Sequence, residues 1–318
     1  MPVDRPFTLA QARAEGVSRT QLAAWVSDGL LIHPMRGVFH AAQLPDGLDL
    51  RLSCLALVVP DDAVVTDRTA GWAHGASMIL APGDHLRVPA VSMHLYPGSR
   101  LRNPLAQGGE RAFLPREVVE IEGLAVTSKL RTTIDLGRGL RRESAFAAMC
   151  SIANVADFDR EELNFEVRER GRFAGYRGVR QARALALLVR TGYGSPPECV
   201  LGLSWEDQPG MPPLRLQHPV AHPGGTYFLD LSCPELRYGA EYNGPRWHGE
   251  ERAAYDADRV AWLVEDEGWI IDIFETDDVY GRGREPGLRL RMGIERARRR
   301  FGSLSWTGQN RYGESWLG

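Results

Sequence analysis

Tyr227-Phe228-Leu229-Asp230-Leu231, a turn at Cys233-Pro234-Glu235, and Tyr238-Gly239-Ala240-Glu241-Tyr242-Asn243 form the stretch on which the reading of this chain turns. Both apolar runs are short, rich in aromatic and bulky residues, and bounded by Pro or Gly, a pattern that predicts strands. Leu214 to Ala221 reads as a further strand upstream, joined to the first by a turn at Pro223-Gly224-Gly225. Side chains alternate along a strand, so Glu241 and Asn243 share a face. Asp230 lies eleven positions before Glu241, and the intervening turn can bring the two carboxylates side by side.

Two oxygen ligands on adjacent strands suit a hard, octahedral Mg²⁺ (or Mn²⁺), with water and substrate phosphate completing its shell. Such an ion orients an attacking water and offsets charge in phosphodiester hydrolysis. Taken singly, Asp230 reads as a turn residue at a strand edge and Glu241 as a solvated strand position. The flanking sequence favours the metal reading. Gly244-Pro245-Arg246-Trp247-His248 follows at once and sets a titratable imidazole just past the acidic strand. A helix through Tyr255, Arg259, Trp262 and Leu263 ends at Gly268, and Trp269-Ile270-Ile271-Asp272-Ile273-Phe274 reads as a last buried strand. Upstream, Ser195-Pro196-Pro197-Glu198 is a strong helix start: Ser at the cap, Pro at the first helical position, Glu three after the cap.

The ordered run Asp230…Glu241-x-Asn243-Gly244-x-x-Trp247-His248…Asp256-x-x-Arg259…Gly268-Trp269 resembles the very-short-patch-repair endonucleases. It is at least as similar to the broader family of related nuclease domains in the PD-(D/E)XK superfamily. The resemblance covers roughly Gly194 to Arg300. It implies an αβββαβ core with Asp230 as metal ligand, Glu241 as second ligand and His248 as general acid/base. Glu198 matches the helix-borne acid of many members, and closing its capping box accounts for it equally well. The superfamily's usual lysine, two residues after the second acid, is Asn243 here. The related domains commonly carry aspartate there. An asparagine ligates through its carbonyl without charge, so Asn243 implies weaker metal binding.

Beyond this region, arginines crowd 282 to 300. They form either a solvated helix face paired with nearby acids or, in a nuclease, a phosphate-holding surface that includes Arg246. At the other end, Thr8 caps a helix through Glu15 that Gly16 stops. Ser18 and Gln21 form a capping box for a second helix running to Gly29. Leu30-Leu31-Ile32, Pro34-Met35-Arg36-Gly37 and Val38-Phe39 read as strand, turn, strand. Helix, turn, helix and wing in that order describe a winged helix-turn-helix, with Arg19, Gln21 and Arg36 as the candidate DNA contacts. A small helical cap with a hairpin, used for packing or protein contacts, fits the same pattern.

Residues 50 to 130 mix short apolar runs (Leu55 to Val59, Val118 to Ile121) with turns such as Ala81-Pro82-Gly83-Asp84. From Thr127 to about Arg190 the pattern turns helical, and Gly192-Tyr193-Gly194 reads as a linker. The stretch Phe7 to Phe39, with Val126-Thr127-Ser128, Arg131-Thr132 and Asp135-Leu136, resembles the AbiEi family, antitoxins of type IV toxin–antitoxin systems. That resemblance implies a regulatory or defence setting and a toxin or other protein partner.

Composition bounds these readings. The 318 residues are 43% hydrophobic and 25% charged, which excludes wholesale disorder. A net charge of −3 argues against a protein that coats nucleic acid non-specifically. No apolar run approaches the ~20 residues needed to span a bilayer, and the first residues do not read as a signal peptide. Cys54, Cys150, Cys199 and Cys233 form no C-x-x-C pair, so they are expected as reduced thiols in a cytoplasmic protein without a cysteine-based zinc site. Lys129 is the only lysine, leaving 37 of the 38 basic residues as arginine. The expectation is an α/β, multi-domain α+β chain. It places a winged helix at 1–45, a middle antitoxin-like region at 46–190 and a PD-(D/E)XK-type domain at 191–318. The expected function is Mg-dependent cleavage of DNA in phage defence or repair. The rivals are a non-enzymatic, antitoxin-like DNA-binding regulator with a degenerate nuclease domain, and a partner-binding module that leaves DNA alone. No membrane partner is expected, and the oligomeric state is open.

Overall fold

The computed structural model describes residues 3–77, 79, 90–99, 102–103, 105–169, 172–244 and 250–302, with the backbone alone for 250–256. Its architecture is mixed α/β: helices and three sheets, divided between two units that meet at Thr191 and Gly192.

In the first unit, β1 (Phe7–Thr8), α1 (Leu9–Ala14), α2 (Arg19–Ser27), β2 (Leu31–Met35) and β3 (Val38–Ala41) follow in order. Thr8 and Ser18 cap α1 and α2 through reciprocal bonds with Gln11 and Gln21. The three strands form a sheet in the order β1-β3-β2 around Phe7, Leu22, Leu31 and Phe39. The chain continues through α3 (Leu48–Ala56), β4 (Ala63–Val65), α4 (Asp67–Ala73), β5 (Val91–Leu95), β6 (Ala106–Gln107), β7 (Val118–Ile121) and β8 (Leu124–Thr127). These strands make a five-stranded sheet, β6-β5-β4-β8-β7, with β4 parallel to β8. Met35 and Val38 of the β2–β3 hairpin belong to the same core as Leu52, Leu55, Val65 and Val126, so segments 1–45 and 46–190 share packing. Four helices close the unit: α5 (Lys129–Gly139), α6 (Arg142–Ala153), α7 (Arg160–Arg168) and α8 (Val179–Ala186). The turn at Ala81-Pro82-Gly83-Asp84 lies outside the described residues.

The second unit runs α9 (Pro196–Asp207), β9 (Arg215–His222), β10 (Gly225–Cys233), β11 (Tyr238–Tyr242), α10 (Glu250–Glu265), β12 (Ile270–Phe274), α11 (Thr276–Tyr280) and α12 (Pro286–Phe301). Its sheet order is β12-β11-β10-β9. The hairpin β9-β10 and the pair β10-β11 are antiparallel, whereas β12 runs parallel to β11. A parallel neighbour needs a crossover, and α10 supplies it. Two cores result. Trp205, Leu231, Tyr238, Ala240, Phe274, Leu290 and Ile294 form one, with α9 and α12. Val220, Leu229, Leu263 and Trp269 form the other, with α10. At the start of the unit Tyr193 is buried over α9 where residue 202 is Gly; a Cβ there would lie 2.1 Å from the Tyr193 hydroxyl. The four cysteines are buried, and none is joined in a disulfide. Among the described residues no helix is long and apolar enough to cross a membrane.

Candidate active site

The acids of the second unit meet where its sheet changes sides. Residues two apart on a strand ordinarily share a face. Here Leu229 packs with Val220 and Leu263, while Leu231 packs with Trp205 and Tyr238. The switch falls at Asp230 and its neighbour on β9, Gln217. The ladder pairs Leu229 with His218 and Leu231 with Leu216 but skips the pair between them. Gln217 adopts a left-handed backbone (φ 48°), uncommon for a side-chain-bearing residue. Its Nε2 donates to Asp230 Oδ1 at 3.3 Å. On the other side, the Tyr242 backbone N–H donates to Asp230 Oδ2 at 3.2 Å. Leu231 stands opposite Ala240, and continuing that register sets Asp230 opposite Glu241.

Glu198 reaches the same place from the first turn of α9. Ser195 caps that helix, and its hydroxyl donates to Glu198 Oε1 at 2.7 Å. The Gly194 N–H donates to Oε2 at 2.8 Å. These bonds favour the charged carboxylate, but burial and the adjacent Asp230 charge outweigh them, and the Glu198 pKa is pushed up to about 7. Burial raises the Asp230 pKa as well, against the opposing hydrogen bonds and the charge of Arg259. Glu198 thus accepts from the residues that start α9 and stands beside Asp230.

Glu241 is buried rather than solvated. Arg259 of α10 grips it with both ends of the guanidinium: Nη1 donates to Oε1 at 3.0 Å, and Nη2 donates to Oε2. The same guanidinium lies 5.9 Å from the centre of the Tyr227 ring. Asn243 continues the strand line, its N–H donating to the Phe274 carbonyl at 2.8 Å. The structure therefore brings together Glu198, Asp230, Glu241 and Arg259, with Gln217 as a tether. Arg246 and His248 lie outside the described residues. Among the described residues, no three His, Cys, Asp or Glu side chains form a ready metal cage.

Gln217 and the pairing of Arg259 were not foreseen. An arginine in register with the apolar positions Trp262 and Leu263 was the available signal for Arg259, since a charge on a core-facing stripe needs a partner. Nothing local marks Gln217. Of the C-terminal arginines, Arg296 binds Asp272, Arg289 binds Asp278 and the Ile273 carbonyl, and Arg298 binds the Gly210 carbonyl, as a packed helix face would.

In the first unit, Arg19 is exposed at the start of α2 and Arg36 at the tip of the β2–β3 turn. Gln21 spends its side-chain oxygen on the Ser18 cap, which leaves only its amide NH₂ for any other contact. A cleft of about 530 Å³ in this unit, bordered by Glu117, Ser128, Arg131, Phe158 and Phe173, is lined by none of the expected site residues.

No family model matches the chain. Two proteins of Mycobacterium tuberculosis described as uncharacterized, from strains H37Rv and CDC 1551, are each 29% identical to it over 287 residues. The match covers 89% of this chain and 99% of either relative, so it passes through both units. The chain is similar, along most of its length, to proteins of nearly the same extent.

Proposed function

We propose that the second unit is a PD-(D/E)XK-type, metal-dependent DNA endonuclease. One feature carries this reading: the β10–β11 register, extended by one pair, sets Asp230 opposite Glu241, with Glu198 beside Asp230 at the head of α9. The helix–three strands–helix–strand order agrees with the expected αβββαβ core.

The donor set fits a divalent ion. Among the described side chains, Arg259 binds Glu241 and acts on Asp230, and Asp230 and Glu198 both bind protons more readily than carboxylates ordinarily do. Mg²⁺ commonly takes only one or two protein carboxylates and fills its shell with water and phosphate, so a three-acid cage is not required. Asp230 and Glu241 would hold the ion, with Asn243 following on the same strand. When bound, it would supply Lewis acidity and charge for phosphodiester hydrolysis. Gln217 and the Tyr242 N–H fix the Asp230 carboxylate in place. Glu198, with a pKa near neutrality, is suited to take up a proton at working pH. His248 retains the acid/base role that the family resemblance implies.

The test is direct. Purified protein is expected to nick or cut DNA with Mg²⁺ or Mn²⁺, EDTA to stop it, and Asp230→Ala to remove it. Cleavage persisting at the wild-type rate in that variant would sink the assignment.

The occupied oxygens of Glu241, with Asn243 in place of a charged residue, favour a second reading: a DNA-binding regulator whose nuclease unit has lost its activity. Residues 7–41 would then act as a winged helix, Arg19 and Arg36 contacting duplex DNA, with a toxin as partner as in the antitoxins. Duplex binding without cleavage, weakened by Arg19→Ala together with Arg36→Ala, is the outcome that selects it.

A further inference from the structure

Arg259 comes from the crossover helix, yet its charge is spent inside the acidic site. The pairing is the fork-to-fork kind, two N–H donors on the two oxygens of one carboxylate, which fixes direction as well as distance. Both partners are largely withdrawn from solvent, the Glu241 side chain 7% and the Arg259 side chain 20% exposed. The guanidinium also acts on Asp230, so it stands as a cation toward both acids that would hold a metal. A guanidinium and a divalent ion on the same edge of Glu241 would be like charges at close range in a half-buried space, and they cannot share that carboxylate at low cost.

We infer that Arg259 is a latch on Glu241, holding the carboxylate while no metal is bound and ceding it when a divalent ion binds between Asp230 and Glu241. The inference rests on the nuclease reading above and adds a control element to it. Site occupancy then depends on a competition built into the fold, and metal affinity is set as much by the strength of the ion pair as by the ligands. A merely structural ion pair would have no such consequence, because removing Arg259 would leave metal affinity unchanged or lower it by loosening Glu241.

The experiment is titration of the full chain with Mn²⁺ alone, followed by calorimetry, for wild type, Arg259→Gln and Arg259→Lys. Arg259→Gln is expected to bind Mn²⁺ roughly 10- to 100-fold more tightly, well below the full repulsion of a fixed like charge a few ångströms away, because in wild type the displaced guanidinium moves off toward solvent. Its thermal transition in EDTA is expected to fall, and Mn²⁺ to raise it by more than in wild type. Arg259→Lys keeps the charge with one contact fewer and carries the test should Arg259→Gln not fold; it is expected to bind a few-fold more tightly than wild type. Mn²⁺ binding by wild type with equal or weaker binding by both variants overturns the latch and leaves the nuclease reading standing. Absence of Mn²⁺ binding in all three overturns both.

Discussion

Each unit buries a cluster of charges, and the two clusters are balanced in opposite ways. In the first unit, Glu117, Asp135 and Asp67 are met by four guanidiniums. Arg131, with its side chain 1% exposed, donates to Asp135 at 2.7 Å and to Glu117. Arg172 binds both oxygens of Glu117, Arg138 binds Asp135 at 2.6 Å, and Arg111 bridges Asp135 and Asp67. Burial alone would raise the Glu117 pKa, yet Arg172 and Arg131 hold it below the usual carboxylate range. In the second unit Arg259 binds Glu241 and acts on Asp230, and burial drives Glu198 and Asp230 upward instead. Acids met by several guanidiniums lock a structure; acids that hold their protons beyond the usual range are where a cation has something to add.

Three measurements would break or sharpen that contrast. The largest effect is expected from Arg131→Met, which strands Glu117 and Asp135 in the core. Removing one member of a buried ionic network costs about 3–5 kcal/mol, so chemical denaturation of this variant should show the first unit unfolding far earlier. A loss under about 1 kcal/mol would mean that the four guanidiniums are not what holds the network together. Asp230→Asn is expected to behave in the opposite sense. Its amide can keep a carbonyl for the Tyr242 N–H while removing the charge next to Glu198, so in EDTA at pH 8 the second unit should be unchanged or more stable, by on the order of 1 kcal/mol. Marked destabilisation would show the acids to be as well matched as those of the first unit.

The smallest effect is a pH dependence. A carboxyl whose folded pKa is raised favours the protonated fold. Its contribution is therefore most favourable below the ordinary 4.5 and is lost as pH rises through about 7. Metal-free wild type is expected to lose stability across that window, and Glu198→Gln, which cannot ionise, to show a flatter curve. Melting temperatures at half-unit pH steps decide it: parallel curves for the two proteins would show that Glu198 carries no such burden.

The contrast also explains what could be read without coordinates. Local signals survived well. The caps at Thr8, Ser18 and Ser195 and the strands around Asp230 and Glu241 stand within a residue or two of their expected places, and the helix expected to run to Gly268 ends at Glu265. The motif Thr127-Ser128, Arg131-Thr132, Asp135, read as a family mark, is a capped helix start that also carries the ion network. Non-local facts were hidden. The two-residue strand Phe7–Thr8 exists because β3 pairs with it, and the order β6-β5-β4-β8-β7 joins segments far apart in sequence. The run Leu55 to Val59 belongs to the end of a helix and the turn after it, since a short apolar run has no period of its own. Within the site, the nearness of Asp230 and Glu241 was legible from the two strands and the turn between them. The Arg259 pairing was legible only as an odd charge on an apolar stripe. The left-handed Gln217 carried no mark, because any strand tolerates a glutamine.

The side switch at Asp230 makes one strand answer to two masters. Leu229 is anchored in the α10 layer and Leu231 in the α9–α12 layer, so the carboxylate between them is positioned by the difference between two packings. A volume change at Trp269 and one at Leu290 would shift it from opposite sides. If the proposed nuclease activity holds, placement errors near 1 Å would cost ~10²-fold in rate, so substitutions remote from the acids would tune it. Changes in the two cores that are each harmful could then restore one another.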